Sequence, residues 1–112
     1  MKIKQNVKLS GASFQIGYAC AIAEAVLSTI APSVPFVVTS AKDGVHGLGS
    51  LHGTGHAVDV RTRELTRPQR ETFSSRVRAA LDPHGFDVVL ESDHLHVEFD
   101  PKPGEKFAEV TA

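Results

Sequence analysis

Two short segments concentrate side chains able to do chemistry: Ser50-Leu51-His52-Gly53-Thr54-Gly55-His56-Ala57-Val58-Asp59 and Glu91-Ser92-Asp93-His94-Leu95-His96. Together they supply two or three imidazoles and a carboxylate. That is the ligand set of a catalytic zinc site, which takes three protein ligands and keeps one position open for water. The chain has a single cysteine, Cys20, so neither an internal disulfide nor a thiolate metal site is available, and any metal must be held by histidine and carboxylate. What matters is whether the two segments meet in space.

The elements that must position them can be read from periodicity. Ile16, Ala19, Cys20, Ala23, Val26, Leu27 and Ile30 recur at helical intervals and predict an amphipathic helix over 12–30, with Ser10 or Ser13 as candidate caps and Pro32 as the stop. In that stripe Cys20 reads as a small buried hydrophobe. Val34 to Thr39 is a β-branched and aromatic run, read as a strand. Residues 44–55 contain Gly44, Gly47, Gly49, Gly53 and Gly55 and read as a loop. Ala57 to Arg61 reads as a short strand. Thr66-Arg67-Pro68-Gln69 has capping-box spacing with proline in the first turn, and Phe73, Val77, Ala80 and Leu81 continue a second helix to Leu81. Asp82-Pro83-His84-Gly85 reads as a turn. Phe86–Leu90 and His94–Phe99 read as an antiparallel hairpin around Glu91-Ser92-Asp93, and the tail from Pro101 as irregular. Two helices and four short strands without regular βαβ alternation predict an α+β domain spanning residues 1–112.

Composition narrows the class. A chain of 112 residues suits one domain, and 41% hydrophobic and 22% charged residues are ordinary for a globular protein. The net charge of −1 gives no electrostatic footprint for nucleic acid. Positive charge is dense only between Arg61 and Arg78, which reads as a solvated helix face. Met1-Lys2-Ile3-Lys4-Gln5-Asn6 does not read as a signal peptide, and no segment has the ~20 apolar residues that span a bilayer. The expectation is synthesis in the cytoplasm and no membrane partner.

Side-chain alternation sharpens the site. On a strand over 94–99, His94, His96 and Glu98 share one face, and Leu95, Val97 and Phe99 share the other, which is apolar and belongs to the core. Two histidines hydrogen-bonded on an exposed strand would account for this segment by itself. Asp59 sits between Val58 and Val60, and a carboxylate there needs a strong partner or a metal. A salt bridge to Arg61 or Arg63 would serve as well. Of the other histidines, His46 reads as a loop residue, His56 as facing away from Asp59, and His84 as solvent-facing. Arg61 and Arg63 read as surface or salt-bridge residues rather than substrate clamps.

The pattern Ser50-x-His52-x-x-Gly55-x-Ala57-x-Asp59 resembles, at every fixed position, the first motif of the LAS/M15-type zinc peptidases. That group includes D-alanyl-D-alanine carboxypeptidases and dipeptidases, phage L-alanyl-D-glutamate endolysins and the related hedgehog signalling domain. Asp93-His94-Leu95-His96 looks like the family's second motif, a His-x-His preceded by an acidic residue. The resemblance runs from about Phe36 to Pro101 and is greatest to small phage-encoded, stand-alone domains.

The resemblance implies the hedgehog/DD-peptidase fold, a small antiparallel sheet packed with two main helices. It implies Zn2+ held by His52, Asp59 and His96, with Asp93 as general base and His94 beside the reacting groups. A second registration takes His94 as ligand and Glu91 as base. The implied activity is hydrolysis of amide bonds in D-amino-acid-containing peptides, with peptidoglycan stem peptides as substrate. The implied setting is phage-type release to the cell wall or packaging in a virion. A zinc-stabilised, non-catalytic binding or virion structural module of the same fold is the alternative. Ser50 would bind a ligand or substrate, or cap its own loop. One departure stands out. The arginine that the family often carries after Thr39-Ser40 is missing from Ala41-Lys42-Asp43-Gly44. Lys42 offers only a point charge in its place.

Overall fold

Thr66 begins the second helix as its sequence predicts. Its hydroxyl accepts from the Gln69 backbone N–H at 3.2 Å, and the Gln69 side chain accepts from the Thr66 N–H at 2.9 Å. Two orphan donors of the first turn are thereby satisfied reciprocally. A computed structural model of the chain describes residues 1–5, 7, 14–42 and 57–100. In chain order the elements are β1 (Lys2–Ile3), α1 (Phe14–Ile30), β2 (Val37–Lys42), β3 (Ala57–Arg61), α2 (Arg67–Leu81), a single 3-10 turn (Asp82–His84), β4 (Phe86–Leu90) and β5 (His94–Phe99). The α+β class therefore holds. The glycine loop, with His46, Ser50, His52 and His56, lies outside the described residues, as do the candidate caps Ser10 and Ser13 and the tail.

The strands form one sheet in the order β1-β2-β3-β5-β4. The sheet is mixed, which corrects the expectation of an antiparallel one: β1 pairs parallel with β2. Lys2 and Lys4 donate to the carbonyls of Phe36 (2.7 Å) and Val38 (2.9 Å), and the terminal amine pairs with Glu24 at 2.6 Å. A strand of two residues is too short to show a period, so backbone pairing is its only signature. β2 also runs on to Lys42, past the expected end at Thr39, with a register shift between Val38 and Ser40. The 3-10 turn ends at Gly85, whose φ of 87° is a left-handed conformation that glycine adopts without a Cβ clash.

One face of the sheet carries both helices. Val38, Val58, Val60, Val88, Leu95 and Val97 pack there against Ile16, Ala19, Cys20, Ala23 and Leu27 of α1 and Phe73, Val77 and Leu81 of α2. Each buried aliphatic side chain contributes about 1.5–3 kcal/mol, and this fixes the strand registers. Cys20 is buried as expected, and burial, with the nearby Glu24 charge, pushes its thiol up to about 11. A thiol of that pKa stays protonated and unreactive at neutral pH. His84, expected in solvent, is half-buried and stands edge-on to Tyr18 with ring centroids 6.1 Å apart. No helix among the described residues is long and apolar enough to cross a membrane.

The basic stretch is more than a solvated face. Arg78 donates to the Val88 carbonyl through Nε (3.3 Å) and Nη2 (3.0 Å), tying α2 to β4. Arg70 reaches the carbonyls of Thr62 (3.2 Å), Ser92 (3.3 Å) and Arg63 (3.5 Å). It clips the end of β3 to the β4–β5 turn, where the Thr62 N–H also donates to Asp93 O at 3.0 Å. Arg70→Leu should cost about 1–2 kcal/mol in a denaturant midpoint experiment, because it strands charge-assisted bonds. Arg67→Leu serves as the control. Arg67 is 88% exposed and, among the described residues, paired only with Glu71, so its loss should cost under about 0.5 kcal/mol. Equal costs would show that Arg70 does not hold the turn.

Candidate functional site

β3 and β5 pair antiparallel with Asp59 directly opposite His96 and Arg61 directly opposite His94. Directly opposed residues point to the same face. Since Val58, Val60, Leu95 and Val97 face the helices, Asp59, Arg61, His94, His96 and Glu98 are driven to the opposite face. The alternation that buries the core thus assembles the polar set without further instruction.

On that face the side chains form a row of alternating acid and imidazole. Asp93 Oδ1 lies 2.8 Å from His94 Nδ1, and His94 Nε2 lies 3.7 Å from Asp59 Oδ2. Asp59 Oδ1 lies 2.8 Å from His96 Nδ1, whose Nε2 lies 3.2 Å from Glu98 Oε1. The inner members are mostly shielded, with side-chain exposures of 23% for Asp59, 30% for His94, 25% for His96 and 27% for Glu98, whereas Asp93 at 73% is open. The Thr39 hydroxyl supports β3 from the other side, donating to the Asp59 carbonyl at 3.4 Å.

Asp59 between two valines therefore finds its partners in imidazoles. The alternative of a salt bridge to Arg61 or Arg63 is not what forms: both arginines pair with Glu64, at 2.8 and 3.7 Å. Of the residues singled out from sequence, Asp59, His94, His96 and Asp93 come together. Glu91 stands exposed at the hairpin turn, where its backbone N–H donates to the His94 carbonyl at 2.9 Å. His52 lies outside the described residues. Alternation puts Glu98 on this face as well, and its bond to His96 is a contact that the sequence alone does not reveal. Among the described residues no group of three His, Cys, Asp or Glu side chains is arranged to hold a metal ion.

The electrostatics follow from the contacts. Both ring nitrogens of His96 face carboxylates, so both are best satisfied as donors. Its pKa is raised, chiefly by the hydrogen bond to Asp59, with Glu98 adding and burial opposing. Asp93 is held below the usual carboxylate value, chiefly by its hydrogen bond to His94. That bond puts the ring proton of neutral His94 on Nδ1 and leaves Nε2 as an acceptor aimed toward Asp59. Nε2 and Asp59 Oδ2, both acceptors and 3.7 Å apart, form no hydrogen bond. Three carboxylates against two imidazoles make the row anionic even with both rings protonated.

No protein-family model matches the chain, and no curated protein matches it either.

In metal-free protein the His96 ring should titrate above its ordinary value of 6.5. Because the folded pKa is raised, the stabilisation it gives is fully present below about 6.5 and is lost as pH rises through the folded pKa. Ring resonances followed by NMR and pH-dependent unfolding of wild type against His96→Gln check this. A ring midpoint at or below the ordinary value would contradict the assigned contacts.

Proposed function

We propose that this protein is a zinc-dependent peptidase that hydrolyses amide bonds in D-amino-acid-containing peptides, with peptidoglycan stem peptides as its substrate class. The observation that carries this reading is the approach of Asp59 and His96. A carboxylate and an imidazole from distant parts of the chain meet on the shielded, anionic face of the sheet, the two residues that the motif resemblance pairs as metal ligands. The motif supplies the third ligand, His52.

The residues suit the ion. Carboxylate and imidazole donors without thiolate are a catalytic rather than a structural zinc set. Asp59 and His96 now share one proton across 2.8 Å. A cation that replaced this proton would satisfy the same two atoms and relieve the excess negative charge of the row. Zinc in this setting supplies a Lewis acid and lowers the pKa of bound water to about 7.

The chain's own residues supply the proton chemistry. Asp93 was the base implied by resemblance. Its carboxylate is engaged with His94 Nδ1, so the two act as a pair. Asp93 orients the ring, and His94 Nε2 is the atom that can take a proton beside Asp59 and return it to a leaving amine. Once protonated, the same ring can stabilise a developing oxyanion. Asp93→Asn would keep the ring near its place while removing the negative charge behind it. Glu98 holds the far side of His96 and raises its basicity as a ligand.

Protein purified without a histidine tag should carry zinc near one equivalent by metal analysis, and Asp59→Asn should lose it. Digestion of purified peptidoglycan followed by mass spectrometry should yield cleaved stem peptides. Asp93→Asn should retain zinc and lose about 100-fold or more of the cleavage rate. Zinc bound without cleavage by the wild type would favour the zinc-stabilised binding or virion module. No zinc at all would end both readings.

A further inference from the structure

Next to the His94 end of the row lies a cleft of about 230 Å3 lined by Lys4, Thr39, Arg61, Arg63, Asp93 and His94. Its composition contrasts with the row: three cations converge from two parts of the chain. Lys4 follows β1 and is fixed by its N–H bond to the Val38 carbonyl. Arg61 ends β3 opposite His94, and Arg63 lies in the segment that Arg70 clips to the hairpin turn. Glu64 engages Arg61 Nη2 at 2.8 Å and reaches Arg63 Nε only at 3.7 Å. Arg61 Nε is shielded from solvent and has no hydrogen-bond partner among the described residues. The rest of the Arg61 side chain, 25% exposed, is what an anion in the cleft would meet. Asp93, the one carboxylate in the lining among the described residues, is already bonded to His94.

We infer that this cleft is an anion subsite that binds a carboxylate of the substrate beside the bond to be cut. The inference rests on the peptidase reading for what the carboxylate is attached to. The cleft is small, which suits a single carboxylate. Planar guanidinium groups match its two oxygens. Its position matters as much as its charge. The anion would lie at the His94 end of the row, so the adjoining amide would be delivered to His94 rather than to Glu98. This gives the chain a carboxylate-recognising element without an arginine after Ser40. It requires β1, the strand that sequence periodicity does not reveal.

The test uses the full chain supplied with zinc, with arginine side-chain N–H signals followed by NMR. Three peptides are titrated: acetyl-D-alanyl-D-alanine, its C-terminal carboxamide, and acetyl-L-alanyl-D-glutamic acid α-amide. The Arg61 Nε–H signal should move with a carboxylate peptide and stay still with the carboxamide. A response to the first peptide assigns the subsite to a chain-terminal carboxylate, and a response to the third assigns it to an acidic side chain. Arg63→Gln, a change at an exposed position, and Arg61→Gln should each weaken that binding about tenfold while zinc content stays constant. No movement with either carboxylate peptide, or equal movement with the carboxamide, would overturn the subsite. Saturable carboxylate binding in a chain that holds no zinc would keep the subsite and remove the peptidase. Zinc retention and cleavage without charge discrimination would do the reverse.

Discussion

Asp59 is a carboxylate placed between two core valines on a central strand, and the surroundings must compensate for that placement. Burial of an ionised group without a partner is costly enough to unfold a small domain. Here the compensation comes from His96, directly across the β3–β5 ladder at 2.8 Å. The register that brings them together is set by Val58, Val60, Leu95 and Val97 on the opposite face. A slip of one residue would bury the imidazoles and expose the valines. Fold and site are therefore one constraint seen from two faces of the sheet.

Around that pair the molecule arranges support at increasing distance. Glu98 holds the outer nitrogen of His96, and Asp93 holds the near nitrogen of His94. The hairpin turn that carries Asp93 is fastened to β3 by the Thr62 N–H and by Arg70 from α2. The helix thus reaches through its arginine to the acidic end of the row. Among the described residues Lys4, Arg61 and Arg63 gather beyond that end, where they border the cleft. The face is polarised, with an acidic centre next to a basic flank.

Much of this could be read from residue order. The capping box at Thr66 and Gln69, the β5 alternation and the shared face of His94, His96 and Glu98 follow from local chemistry and strand period. Asp59's need for a partner was legible from its valine neighbours; that His96 would be close to it came from the motif resemblance and not from the local pattern. Arg61 and Arg63 are nearer in sequence, but Glu64 is nearer to them, and strand pairing brings His96 across from a distant position. The parallel β1 strand is invisible because two residues carry no period. The carbonyl-binding roles of Arg70 and Arg78 depend on how α2 lies over the hairpin. The proposal of His52 as a third ligand comes from the motif, and that histidine lies outside the described residues.

The most direct measurement is anomalous diffraction at the zinc edge from crystals of the untagged protein. The account predicts one strong peak about 2.0–2.2 Å from an Asp59 carboxylate oxygen and from a His96 ring nitrogen, with the His52 imidazole completing the protein ligands. Crystals grown with zinc that keep the Asp59–His96 hydrogen bond, with no anomalous peak between those side chains, would contradict it.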